Sequence, residues 1–186
     1  DDYLKIGNFI ADSIRGNKYL NYPIEIQNGI ILHRHIDTFT DKHPIVKQSK
    51  RRLYENYGHY SGVIVDIFYD HFLAKNWLEY SNIPLDTYVS LFYSLLKLNF
   101  NSLPENVKYM YPYMTRDNWL LSYATIEGIT KVLEGMNRRT KNKSKMNLAV
   151  HELREYYIEF EHEFTLFFKE LELFVQQELK SQNFNI

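Results

Sequence analysis

Apolar residues recur every three to five positions through most of this chain, and almost nowhere do they alternate. That spacing is the helical period, and it leaves little besides an all-α fold. Leu4, Ile6, Phe9, Ile10 and Ile14 form a first stripe, which Gly16-Asn17 should end. Pro23 can open a second helix through Ile26, Ile30 and Ile36. Asp41 to Pro44 reads as a turn into a third helix, which ends near Gly58. A long apolar helix is expected from about Ser61 to Glu79, and Pro84 opens another. Two short helices fit Val107 to Met114 and Asp117 to Tyr123, and Thr125 to Arg138 reads as helical. After a basic loop, Thr140 to Lys145, a long amphipathic helix should run to about Lys180 on Leu148, Leu153, Tyr156, Phe160, Phe164, Phe167, Leu171 and Phe174. Val63-Ile64-Val65 is a short β-branched cluster inside a stronger helical pattern. The expected architecture is a single-domain helical bundle over residues 1–186, with no linker, repeat or low-complexity tract.

Composition narrows the function. The chain has 186 residues, no cysteine and a net charge of -1. Disulfides, thiolate-metal sites and thiol nucleophiles are therefore excluded, and there is no global signal for nucleic acid. No apolar run approaches the ~20 residues of a membrane span, which makes a cytoplasmic protein the expectation. Basic side chains cluster in two places: Lys42, Lys47, Lys50, Arg51 and Arg52, then Arg138, Arg139, Lys141, Lys143 and Lys145. Glu155 to Glu178 is acidic. The first Met is Met110, so residues preceding Asp1 are expected in the native protein.

Three groups of residues could carry chemistry. Asp66 and Asp70 are four apart on a helix whose neighbours are nearly all apolar, and His71 lies about 100° further round. Two buried carboxylates need a counter-charge. A divalent cation and an arginine (Arg15, Arg34 or Arg116) satisfy that need equally well on spacing alone. His33 and Asp37 share a second helical face, and neutral imidazole with carboxylate is an ordinary ligand pair for zinc, manganese or iron. Asn8 and Asp12 share a third face, with Arg15 one turn on. Asp12 suits a metal or the orientation of a ligand histidine, and Arg15 suits a phosphate. His35, pointing away from His33, is expected to be solvated or to stand behind the metal ligands, and the loop residues His43 and His59 are expected to be solvated.

In this order, Gly7-Asn8-Phe9-Ile10-Ala11-Asp12 with Arg15-Gly16, Gly29 with His33-Arg34-x-Ile36-Asp37, Thr40-Asp41, Asp70-His71-Phe72-Leu73-Ala74 with Trp77, and Gly135-Met136-x-Arg138-Arg139 resemble the acyl-carrier-protein phosphodiesterases. That family is a non-standard relative of the HD-type phosphohydrolases, and the adjacent pair here, Asp70-His71, reverses the usual order. The resemblance implies an HD-like helical fold and hydrolysis of the phosphodiester joining 4'-phosphopantetheine to a serine of acyl carrier protein. It implies a divalent cation, manganese before magnesium or iron. His33, Asp37, Asp70 and His71 are then the candidate metal ligands. Asp12 and Asp66 are the candidates for handling water and orienting ligands, and Arg15 and Arg34 for stabilising phosphoryl charge. Lys47, Lys50, Arg51, Arg138 and Arg139 are candidates for docking the acidic carrier protein. The alternatives are an HD-like phosphohydrolase of a small nucleotide and a non-catalytic helical interaction module.

Overall fold

The structure, a computed structural model, describes residues 1–181. It is all-α, with ten α-helices and no strand among the described residues. Contacts divide the chain into two compact units, each woven from non-contiguous segments.

The first unit comprises Asp1–Lys42, Ser90–Asp117 and residues 169–181. It contains α1 (Asp2–Ile10), α2 (Ile24–Lys42), the later turns of α5 (Leu85–Leu98) and α6 (Glu105–Arg116). Asp1 caps α1 by accepting from the Tyr3 and Leu4 amides, satisfying two otherwise orphaned donors. The core of this unit is Ile6, Ile10, Ile26 and Ile30, all nearly or fully buried. Phe9 meets Phe92 edge-on, and Phe39 stacks on Phe174 with ring centroids 4.5 Å apart.

The second unit comprises His43–Val89 and Asn118–Phe168. It holds α3 (Pro44–Tyr57), α4 (Ser61–Lys75), α7 (Trp119–Ser122), α8 (Ile126–Arg139), α9 (Val150–Glu155) and the first half of α10 (Tyr157–Ser181). Pro44 opens α3 and Gly58 closes it at φ 53°, the left-handed conformation that favours glycine. Phe68 packs edge-on against Phe160 at the centre of the core.

Three expectations change. The last helix is not continuous from the basic loop. A 3-10 turn at Met146–Leu148 and a break at Tyr156 (φ -110°, ψ 33°) precede α10, and the turn swings Leu148 out to 46% exposure. The Asp66–His71 helix is not buried all round. Val63, Asp66 and Asp70 form an exposed stripe opposite Ile64, Phe68 and Phe72, which leaves the carboxylates partly hydrated. His43 is buried against the Phe167 ring instead of solvated, and His35 pairs with Glu178.

Candidate metal centre

Two glycines decide where the first unit places its polar groups. A Cβ on Gly7 would meet the Ile26 carbonyl oxygen at 2.2 Å, and one on Gly29 would meet the Leu4 carbonyl oxygen at 2.3 Å. Helices α1 and α2 therefore cross with their backbones in contact, which only glycine allows at both positions. The face of α2 that meets α1 runs through Ile26, Gly29 and Ile30, and the same face continues one and two turns later to His33 and Asp37. Helix α1 ends at Ile10, tightens into a 3-10 turn over Ala11–Ser13 and leaves it through an extended Ile14. That turn carries Asp12 directly opposite His33.

The result is a compact set of donors. Nε2 of His33 lies 3.2 Å from Oδ1 of Asp12 and 3.2 Å from Oδ2 of Asp37. One donor atom from each residue falls within 4.8 Å of the other two, and no other such trio occurs among the described residues. Ligands at ~2.0–2.2 Å from one ion can be at most about 4.4 Å apart, and both His33–carboxylate separations lie inside that limit. One imidazole nitrogen and two carboxylates is a set that manganese, iron and zinc accept. Without a cation, a proton on Nε2 fills the same place. The Asp12 hydrogen bond, the Asp37 charge and a hydrogen bond to the Asn8 backbone raise the His33 pKa, against the pull of burial. The same bond lowers that of Asp12. Asp37 is raised, because desolvation and the Asp12 and Asp41 charges outweigh His33.

The turn bearing Asp12 is held from both sides. Nη2 of Arg34 donates to the carbonyls of Ile14 (3.0 Å) and Gly16 (2.9 Å), and its guanidinium covers the Tyr19 ring. Asn106 on α6 donates to the Ser13 hydroxyl at 2.7 Å. Arg34 thus ties down backbone, whereas the family resemblance implied a contact with the phosphoryl group and spacing a counter-charge for the carboxylates. Arg15 lies in the chain between the two residues whose carbonyls are clamped. It is exposed and makes no side-chain hydrogen bond or ion pair with the described residues.

The remaining candidates lie in the second unit. Asp70 keeps solvent contact, yet enough protein surrounds it that desolvation, with the Asp66 charge one turn away, pushes its carboxyl up to about 7. His71 is only 2% exposed. Its Nδ1 donates to the Tyr123 carbonyl and its Nε2 accepts from the Tyr157 hydroxyl, each at 2.8 Å. Both nitrogens are engaged, so no lone pair remains for a metal, in contrast to what its place beside Asp70 suggested. Of the docking candidates, Lys47, Arg51, Arg138 and Arg139 are exposed. Lys50 is half-buried beside Gly62, and Arg138 faces Glu134 at 3.9 Å.

One polar centre went unread in the sequence. Glu163, 4% exposed, accepts from Arg52, Ser49 and Gln48, and Ser49 also bonds the Tyr69 hydroxyl. Its signal was there: Glu163 interrupts the stripe Phe160, Phe164, Phe167 at a core-facing position. With its carboxylate already paired and bonded, the cluster is structural.

The family profile described as acyl carrier protein phosphodiesterase matches residues 1–171. The acyl carrier protein phosphodiesterase of Pectobacterium atrosepticum is 31% identical over 164 residues, 88% of this chain and 85% of that one. The protein of the same name from Photorhabdus laumondii is 30% identical, covering 88% and 83%. That from Yersinia pestis is 30% identical, covering 88% and 85%. No solved structure gives a significant match.

Proposed function

Because the chain belongs to the acyl carrier protein phosphodiesterase family, we propose that it hydrolyses the phosphodiester between 4'-phosphopantetheine and the serine of holo acyl carrier protein. The observation that carries the reading is the Asp12–His33–Asp37 cluster, which falls on the segments through which the chain resembles that family.

These three residues would hold a divalent cation, manganese first. Bound there, the ion supplies Lewis acidity toward the phosphoryl group. The rest falls to the protein. Asp12 and Asp37 each meet His33 through one carboxylate oxygen, which leaves the second oxygen of either to orient the attacking water by hydrogen bond and take its proton. Arg15 offers five donors and a permanent charge to the phosphoryl oxygens. The Asn8 backbone fixes the His33 ring so that Nε2 faces both carboxylates. A water–phosphorus bond forms and the phosphorus–serine oxygen bond breaks. The serine oxygen regains a proton, leaving apo carrier protein and 4'-phosphopantetheine. Asp66 and Asp70 add a second, carboxylate-rich face of the protein, and Asp70 forms no ion pair among the described residues. A carrier-protein substrate would be met in the cytoplasm; no helix among the described residues is long and apolar enough to cross a membrane.

The test is to incubate the protein and Mn2+ with holo carrier protein and weigh the product. Loss of the phosphopantetheine mass, abolished by His33→Ala, is expected; an unchanged mass would overturn the reading.

A further inference from the structure

The loop after α8 is built more rigidly than a solvated charge run requires. Lys141, Asn142 and Lys145 all have left-handed backbones, at φ 54°, 62° and 54°. For non-glycine residues that conformation is disfavoured, lysine more than asparagine, and it persists only where the surroundings impose it. Here they do. Asn137, 8% exposed, and Ser144, 2% exposed, lie beneath the loop. The Ser144 hydroxyl donates to Oδ1 of Asn137 at 3.0 Å, and Nδ2 of Asn137 donates to the side chain of Asn142 at 3.0 Å. The Asn142 amide returns to the Asn137 carbonyl at 2.9 Å, and the Ser144 amide to the Thr140 hydroxyl at 3.2 Å.

This buried network presents Lys141, Lys143 and Lys145 outward, all exposed and in no ion pair among the described residues. Beside them opens a depression of about 330 Å³, lined by Lys145, His151, Leu148, Asn56, Tyr57 and Glu152. Both carboxylate oxygens of Glu152 are already taken, by Asn56 and Tyr57, so its charge is partly met within the wall. What remains is Lys145 and an exposed Leu148 in the wall, with Lys141 and Lys143 exposed on the same braced loop. Charge of one sign on a rigid frame around an apolar spot is the composition of a protein docking site.

We infer that the Thr140–Lys145 loop and the depression beside it dock the acidic face of the protein substrate, with Leu148 receiving an apolar side chain at the centre. The inference rests on the function proposed above for its choice of partner, and it moves the weight of docking from the arginines at the end of α8 to the lysines after it.

The test measures binding of labelled holo carrier protein to the full chain in EDTA, so that nothing turns over. The variant is Lys141→Asn, Lys143→Gln, Lys145→Asn, since asparagine tolerates the left-handed backbone at 141 and 145. Its melting curve is recorded alongside. The expected result is a Kd raised about tenfold or more, with a weaker dependence on salt, and an unchanged melting temperature. A Leu148→Asp variant, at an exposed position, should weaken binding at every salt concentration. Equal affinity of wild type and the lysine variant, or no binding by wild type, would overturn the inference. So would single-stranded DNA binding more tightly than carrier protein through the same lysines. If carrier protein binds through the lysines but the Mn2+-loaded enzyme leaves its phosphopantetheine in place, the activity reading falls and the docking inference stands.

Discussion

His33 holds two carboxylates at equal distance, and that geometry sets opposite pH trends for the free and loaded protein. Without metal, its pKa is raised by Asp12 and Asp37, so its contribution to stability is fully present below the ordinary imidazole pKa of ~6.5 and fades as pH rises through the raised value. A cation must displace the same proton, so Mn2+ affinity should weaken as pH falls through that value. A Mn2+ titration followed by electron paramagnetic resonance checks this, and an affinity flat with pH would show that the ion binds elsewhere. Arg34 acts on the site through the turn it clamps. Arg34→Lys cannot reproduce two forked bonds to Ile14 and Gly16, and should lower Mn2+ affinity by roughly 10–100-fold while melting shifts little. Asp70→Asn tests a different balance. A carboxyl raised to about 7 is protonated more readily in the folded state, so it withdraws stability as pH climbs from the unfolded value of ~3.9. Removing its charge should stabilise the protein at pH 8 by roughly 1 kcal/mol, since solvent contact screens much of the full effect. At this scale His33 and Asp37 were legible because i,i+4 spacing fixes them on one face. The role of Arg34 was not, since no spacing rule foretells a bond to carbonyls 18 and 20 residues away.

Helix pairs turn those residue positions into a site. The α1–α2 crossing rests on Gly7 and Gly29, and the clash a methyl would make at either is with backbone, which cannot move aside. Gly29→Ala should therefore cost roughly 3 kcal/mol and displace Asp12 from His33, so that stability and Mn2+ affinity fall together. A Gly29→Ala protein that melts and binds normally would mean that the crossing is looser than the structure has it. Gly135→Ala is the control: nothing but the Arg138 side chain, at 3.8 Å, lies near the added carbon, so substitution within α8 should be neutral or slightly stabilising. Most helices were legible from period and punctuation, including Pro44 and Gly58 as the ends of α3. The 3-10 turn at Ala11–Ser13 and the break at Tyr156 were not, because an apolar stripe continues unchanged through a local change in backbone. That turn carries Asp12, so the sequence could name the third donor but not set it against the other two.

At the scale of the whole molecule, binding at one site shifts the unfolding equilibrium of the unit that contains it. A ligand that binds only the folded state stabilises it by RT ln(1 + [L]/Kd), about 2.7 kcal/mol at a hundredfold excess over Kd. The three donors all belong to the first unit, so Mn2+ should slow amide exchange in Asp2–Ile10 and Ile24–Lys42. Helices whose stability rests on the second unit, such as α4 and its Glu163-linked partner α3, should gain only as far as the two units unfold together. Exchange measured by mass spectrometry with and without Mn2+ separates the cases. Protection confined to the first unit places the ion at Asp12, His33 and Asp37 and shows that the units open independently. Uniform protection gives the same site in a single cooperative fold. Protection that peaks in Ser61–Lys75, and survives Asp37→Ala, would move the ion to Asp66 and Asp70 and overturn the assignment of the centre. The size of the gain should increase as pH rises through the raised His33 pKa, because the proton that competes for Nε2 is lost there.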